Sequence, residues 1–195
     1  MNLCWRLTHR CVQPIFKNWA LTNQICGKAN EKGLRMGKLT DDMKRVVEQQ
    51  KLGFVATVRE DGTPNLSPKG TFLVLDDEHL IFGEIRSPNT IKNLEERPAM
   101  EVNFVDPFAR KGFRAKGIAS FIARDTTEFN ELFPRFSQWG DLSNRINGIV
   151  KLKVEEALPL SSPAYDIGAT EEALRSHWKD YFLSIQPDSN EASNA

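Results

Sequence analysis

Between residues 53 and 160 the sequence holds six short segments rich in β-branched and aromatic residues, and this succession constrains the fold more than any other feature. The Asp-Gly pair in the run EDGTP is typical of a tight hairpin turn between the first two segments. Several short strands in near-continuous order, with few helices among them, favour a barrel over a doubly wound sheet. We therefore predict a mainly β, α+β fold. The predicted strands span residues 53–59, 66–75, 79–84, 99–105, 113–122 and 148–160.

Four helical patterns accompany these strands. Thr40 is a good capping residue for the first pattern, which begins with two acidic residues and continues with an apolar stripe. Pro98 ends the second pattern, because proline cannot continue a helix. The last three patterns cover residues 87–97, 126–136 and 170–184.

The first 35 residues differ in composition from the rest of the chain. They contain all three cysteines, carry a net charge of +5 and show no helical or strand period. Three explanations remain open: an upstream extension from a mis-assigned start codon, an organellar transit peptide, or a genuine arm. We expect an extension outside the fold, and a cytoplasmic protein unless this segment is a transit peptide. The predicted division is residues 1–35 as extension, 36–160 as the barrel domain and 161–195 as a helix with a polar tail.

Composition argues against several classes of protein. After residue 35 the chain carries a net charge of −5, which does not suit a nucleic-acid-binding surface. No stretch approaches the roughly 18 apolar residues of a membrane span. Residues 36–195 contain no cysteine and the histidines are scattered, so we expect no metal site. The sequence also lacks a phosphate loop, a nucleophile elbow and a dinucleotide-binding fingerprint.

The run RSPNT is the first candidate for a binding site. Ser87 is a suitable helix cap and Pro88 suits the first helical position. The following backbone amides, with the side chains of Asn89 and Thr90, then face outward from the positive end of the helix, and Arg86 directly precedes them. Such a helix start can hold a phosphate group. The alternative is an ordinary capped helix with a surface arginine.

A second candidate lies inside a predicted strand, in the run NLSPKGT. Proline and glycine are poor choices for a central strand, so they indicate a bulge or an edge that a ligand can approach. Lys69 could then reach a phosphate, with Ser67, Gly70 and Thr71 beside it. The alternative is an irregular hairpin with a solvated lysine.

A third feature is a basic strand in which Arg110, Gly112, Arg114 and Lys116 alternate with other residues. Residues at a period of two share one face of a strand. This face could extend a positive lining for an anion, or it could simply be solvated.

Three runs in this order resemble the pyridoxamine 5'-phosphate oxidase-like FMN-binding split-barrel family. They are GFVATVREDGTPNLSPKG, LIFGEIRSPNTIKNLEERP and FRAKGIASF. The resemblance covers about residues 36–160 and implies a six-stranded split β-barrel with flanking helices. It also implies FMN bound at the interface of a homodimer, with its phosphate held by basic and hydroxyl side chains.

The resemblance assigns roles to residues of both candidate runs. Lys69 corresponds to the family's basic residue on the second strand, and the 87–90 run corresponds to its phosphate-binding helix start. Where the better-known oxidases have an Arg-Lys pair, this chain has Asn89 and Thr90. Gly112 corresponds to a glutamine that touches the flavin in those oxidases. The chain end from residue 177 to 187 lacks the arginine with which they hold pyridoxal phosphate, so genuine pyridoxamine phosphate oxidation is not expected.

We therefore predict an FMN-dependent oxidoreductase that acts on a small molecule as a homodimer. A non-catalytic module that stores or senses FMN, haem or a deazaflavin is the alternative. We predict no metal, nucleic-acid or membrane partner, and the sequence suggests no catalytic acid or base. The predicted FMN-binding residues are Ser67, Lys69, Gly70, Thr71, Arg86, Ser87, Asn89 and Thr90.

Overall fold

A computed structural model describes residues 38–186. The predicted extension over residues 1–35 and the end of the polar tail lie outside the described residues. The helices are α1 (Asp41–Gln50), α2 (Pro88–Glu96), α3 (Thr127–Leu132) and α4 (Glu171–Ser184), with 3₁₀ segments at Phe133–Arg145 and Pro163–Ile167. The strands are β1 (Gly53–Val58), β2 (Pro64–Lys69), β3 (Phe72–Val74), β4 (His79–Glu84), β5 (Ala99–Asp106), β6 (Lys111–Ala123) and β7 (Gly148–Ser161).

Within residues 38–186 the strands form one antiparallel sheet of seven strands, in the order β2-β1-β5-β6-β7-β4-β3. The predicted fold class is confirmed, but the predicted strand over residues 66–75 is in fact two strands. The first pairs with β1 and the second pairs with β4. The chain changes neighbours at Gly70 and Thr71, which is why this sheet has one strand more than the sequence predicted.

That change of neighbours requires the sheet to curl. Strands β2 and β3 lie at opposite ends of the strand order, yet only three peptide units separate Lys69 from Phe72. Three units span at most about 11 Å. The two edges of the sheet therefore come close together, as they do in a barrel.

Four fully buried phenylalanines fill the inside of the curled sheet. Phe72 lies 5.0 Å from Phe82 and 4.8 Å from Phe104 between ring centroids, and Phe104 stacks on Phe113 at 5.3 Å. Helix α1 packs against this core through its buried apolar residues and is capped, as predicted, by Thr40. A second core lies under α3 and the 3₁₀ segment that replaces the end of the predicted 126–136 helix. No helix within residues 38–186 is long and apolar enough to cross a membrane.

Strands β6 and β7 make the longest pairing, and a β-bulge interrupts it between Lys116 and Gly117. Bulges bend strands and increase their twist, so this one helps the long strands to follow the curl. The bulge leaves no room for a side chain, because a Cβ atom on Gly117 would lie 1.9 Å from the carbonyl oxygen of Lys153.

We predict that Gly117→Ala lowers the free energy of unfolding by about 1–3 kcal/mol or more, because the added methyl group must push β7 away. Gly70→Ala is the matched control, since a Cβ atom there meets nothing within 4 Å. Urea denaturation of both variants measures the difference. Equal midpoints for the two variants would contradict the bulge packing.

Candidate functional site

The two predicted binding runs meet at one corner of the curled sheet. Thr71, in the link between β2 and β3, donates a hydrogen bond from its hydroxyl to the carbonyl oxygen of Gly83 at 2.7 Å. Gly83 lies one residue before the end of β4. The 86–90 run comes soon after that end and includes the first residues of α2. The end of β2 and the start of α2 are therefore neighbours. We call this region the β2–α2 corner.

Lys69 is the central cation of the β2–α2 corner. Its side chain is 9% exposed, and its Nζ donates a hydrogen bond to the Ser67 hydroxyl at 2.5 Å. Within the described residues this is the one hydrogen bond of the ammonium group, which has three donors. Burial lowers the pKa of Lys69, and the nearby carboxylate of Glu84 acts in the opposite direction. A buried ammonium with free donors is suited to bind an anion.

Glu84 is a buried residue of this corner that the sequence analysis missed. It is buried, and its carboxylate accepts hydrogen bonds from the backbone N–H and, at 3.0 Å, from the hydroxyl of Ser87. Ser87 does occupy the cap position of α2, but its side chain makes no capping bond. An acidic residue just before a helix start is a recognisable signal, because a carboxylate there is favoured by the helix dipole.

The start of α2 keeps other donors free. Pro88 takes the first helical position, as predicted, and the N–H of Ile91 donates to the Ser87 carbonyl at 3.2 Å. The backbone amides of Asn89 and Thr90 have no acceptor among residues 38–186. The Thr90 side chain is buried, whereas Asn89 and Arg86 are exposed. The Arg86 side chain makes no ion pair within the described part of the chain.

The backbone of Gly70 is hydrogen-bonded by Trp139, a residue distant in sequence. Trp139 donates from its ring Nε1 to the Gly70 carbonyl oxygen at 3.2 Å. Lys51 lies 5.7 Å from the centroid of the Trp139 ring and donates to Gln138 at 3.0 Å. These residues place the Lys51 ammonium beside the ring that holds Gly70. No sequence pattern links them to Gly70, because the contact depends on the path of the 3₁₀ segment.

The basic strand does not add positive charge to this corner. Arg114 and Lys116 do share the exposed face of β6, but each faces a carboxylate on a neighbouring strand. Arg114 lies 3.8 Å from Glu101, and Lys116 lies 2.5 Å from Glu156. Arg110 precedes the strand, in a loop, so it is not part of the predicted alternation.

Comparison with known proteins gives a family and a fold. The family model described as pyridoxamine 5'-phosphate oxidase matches residues 39–159. The solved structure of HupZ from Group A Streptococcus is 27% identical, covers 64% of this chain and 95% of its own, and has a TM-score of 0.54. No curated protein matches the chain.

Two further solved structures share the fold at lower identity. An FMN-binding protein from Syntrophomonas wolfei is 15% identical, with a TM-score of 0.53, and the match covers 62% of this chain and 84% of that one. The haem storage protein HutZ from Vibrio cholerae is 21% identical, with a TM-score of 0.50, and the match covers 62% and 94%. Proteins of this fold therefore include both flavin and haem binders.

We predict that Lys69 makes stability rise with pH below 10.5, its ordinary pKa. The pKa of Lys69 is lower in the folded chain than in the unfolded chain. Between these two pKa values the unfolded chain binds more protons than the folded chain, so the free energy of unfolding rises with pH there. Lys69→Met should remove this contribution. Unfolding by urea at a series of pH values up to 10.5 measures it, with Lys153→Met, at an exposed lysine of β7, as the control. The same pH slope in wild type and Lys69→Met would contradict the burial of the charge.

Proposed function

Because this chain belongs to the pyridoxamine 5'-phosphate oxidase family, we propose that it binds FMN at the β2–α2 corner and acts as an FMN-dependent oxidoreductase on a small molecule. The observation that carries the proposal is the buried ammonium of Lys69, whose one hydrogen bond among the described residues goes to a hydroxyl group. Such a group is costly to bury, and the nearby Glu84 carboxylate, which Ser87 already engages, offsets only part of that cost. The phosphate of FMN is an anion of the required kind.

The donors of the corner suit a phosphate group. Lys69 supplies charge, and the amides of Asn89 and Thr90 face outward from the positive end of α2. The exposed guanidinium of Arg86 is close in sequence to these amides and adds the second charge. Glu84 works against binding, because its carboxylate is negative and already engages both donors of Ser87. Binding therefore depends on the two cations outweighing one carboxylate.

When bound, the flavin ring supplies the hydride or electron transfer. The residues of this chain bind the phosphate and hold the corner in shape. Thr71 ties the end of β2 to β4, and Trp139 holds the carbonyl of Gly70. These fixed contacts would orient a ligand on a rigid edge of the sheet. No side chain at the corner needs to act as an acid or base.

We also propose a homodimer in which the exposed face of the sheet is covered by a second copy. That face carries large apolar residues on three strands of one half of the sheet: Phe54 and Val58 on β1, Leu66 on β2 and Ile118 on β6. Leu66 is 67% exposed. Exposed apolar residues grouped on one face are typical of protein interfaces, and a two-fold axis would bury the same patch on both copies.

We predict that the purified chain takes up FMN and then shows the visible spectrum of a bound flavin. Lys69→Ala and Arg86→Ala should each weaken FMN binding about 10- to 100-fold, the cost of one charge-assisted hydrogen bond. Lys153→Ala, at an exposed lysine of β7, is the control and should bind FMN normally. Fluorescence titration with FMN gives the affinities.

Three results would contradict the FMN proposal. The protein could remain colourless with excess FMN, or both variants could bind as tightly as wild type. A Soret band from tightly bound haem, without flavin uptake, would instead favour the non-catalytic storage alternative.

We predict that Leu66→Glu separates the dimer, because a charge placed in an apolar interface must be desolvated. Leu183→Glu is the matched control, since Leu183 is 61% exposed and belongs to helix α4, not to the sheet. Light scattering should give twice the chain mass of 22.1 kDa for wild type and the control, and the single mass for Leu66→Glu. A wild-type mass of one chain would overturn the proposed assembly.

A further inference from the structure

Helix α4 lies on the curled sheet without burying any residue completely. None of its 14 residues is buried, whereas α1, α2 and α3 each bury at least one side chain. One stripe of α4 is partly covered, and its members recur every three or four residues, as one face of a helix does. They are Glu171, Leu174, Arg175, Trp178 and Phe182. The other residues of α4 are exposed.

Four members of this stripe contact one short segment, residues 106–111, which spans the turn between β5 and β6. Phe182 packs edge-on against Phe108, with the ring centroids 5.6 Å apart. The Trp178 ring faces the guanidinium of Arg110, whose central carbon lies 3.4 Å from the ring centroid. No residue of α4 belongs to either hydrophobic core or packs against one. Helix α4 therefore rests on a single turn and not on the core.

The buried carboxylate of Asp106 ties α4 to this turn. One of its oxygens accepts hydrogen bonds from the N–H groups of Phe108 and Ala109, at 2.9 and 3.0 Å. The other oxygen accepts a hydrogen bond from the Arg175 guanidinium at 2.7 Å. The side chain of Asp106 is 7% exposed, so salt screens this bond less than it screens a surface pair. Charge-assisted hydrogen bonds of this kind are among the stronger polar contacts in proteins.

The second ion pair between α4 and the turn is weaker. The Lys111 ammonium donates to the Glu171 carboxylate at 2.9 Å, but the two side chains are 44% and 42% exposed. Exposed ion pairs add little stability, because water and salt screen them. The bond between Arg175 and Asp106 is therefore the polar contact that holds α4 most firmly.

The chain that leads to α4 has a natural pivot at Gly168. The 3₁₀ segment Pro163–Ile167 is fixed to the turn, since the Tyr165 hydroxyl donates to the Ala109 carbonyl at 2.6 Å. Gly168 then redirects the chain with a φ of 92°, a value that favours glycine. Two residues later, Thr170 caps α4. A rotation at this glycine moves α4 and leaves the 3₁₀ segment in place.

We propose that α4 is a hinged cover, which leaves the 106–111 turn and returns to it as a unit while the curled sheet stays folded. Parts of a protein that bury little apolar surface open at a lower free-energy cost than the core. Opening of α4 breaks the contacts of one partly covered stripe, whereas unfolding of the sheet exposes fully buried side chains such as Phe104 and Phe113. The bond between Asp106 and Arg175 sets how often the cover opens.

Hydrogen exchange of the full-length protein, followed by mass spectrometry, tests the hinged cover. After correction for intrinsic rates, the amides of α4 should exchange at least about 100-fold faster than those of β6 and β7, because α4 opens without unfolding of the sheet. Arg175→Gln should speed exchange in α4 by a further factor of about 10 or more, since it removes the charge-assisted bond to Asp106. Exchange in β6 and β7 and the urea midpoint should stay near those of wild type.

Two variants serve as controls. Lys179→Gln removes an exposed charge of α4 outside the stripe, and Glu171→Gln removes the exposed pairs with Lys111 and Arg175 but keeps the bond to Asp106. Each control should change exchange in α4 by less than about 5-fold. Four results would overturn the proposal: α4 as protected as β7, wild-type exchange of α4 in Arg175→Gln, controls that loosen α4 as much as Arg175→Gln does, or β6 and β7 loosened together with α4.

Discussion

The two-residue link between β2 and β3 is the constraint on which the rest of the structure depends. These strands are neighbours in the chain but lie at opposite edges of the sheet. The sheet must curl until its edges meet, and the curl encloses the phenylalanine core. The same geometry carries Lys69, at the end of β2, to the beginning of α2. One connection thus creates both the barrel-like core and the corner where FMN is proposed to bind.

Two cations of this protein are taken out of water in different ways. Lys69 is buried at the end of β2, and its pKa is lowered because the charged form is poorly solvated there. The guanidinium of Arg110 instead lies on the ring of Trp178, since a guanidinium is weakly hydrated and stacks well on an aromatic ring. The ammonium of Lys69 keeps donors without protein partners among the described residues, and its proposed partner is the phosphate of FMN.

The local features of the fold could be predicted closely. Thr40 caps α1, Pro88 begins α2 and Pro98 follows its end, because capping hydrogen bonds and the proline ring act over a few residues. The division of the 66–75 strand could not be predicted in the same way. Pro68 and Gly70 indicated an irregularity in this strand, but the division into two strands depends on which neighbours each half finds.

The sequence by itself determined the fold class, the family, the starts of α1 and α2 and the two runs that the structure brings to the corner. Only the tertiary structure decided that Glu84 engages Ser87, that Trp139 holds Gly70 and that Arg110 stacks on Trp178. Capping and strand patterns are local, so nearby residues encode them. Contacts between residues far apart in the chain depend on how a curled sheet brings its edges and ends together, and no pattern of neighbouring residues records that.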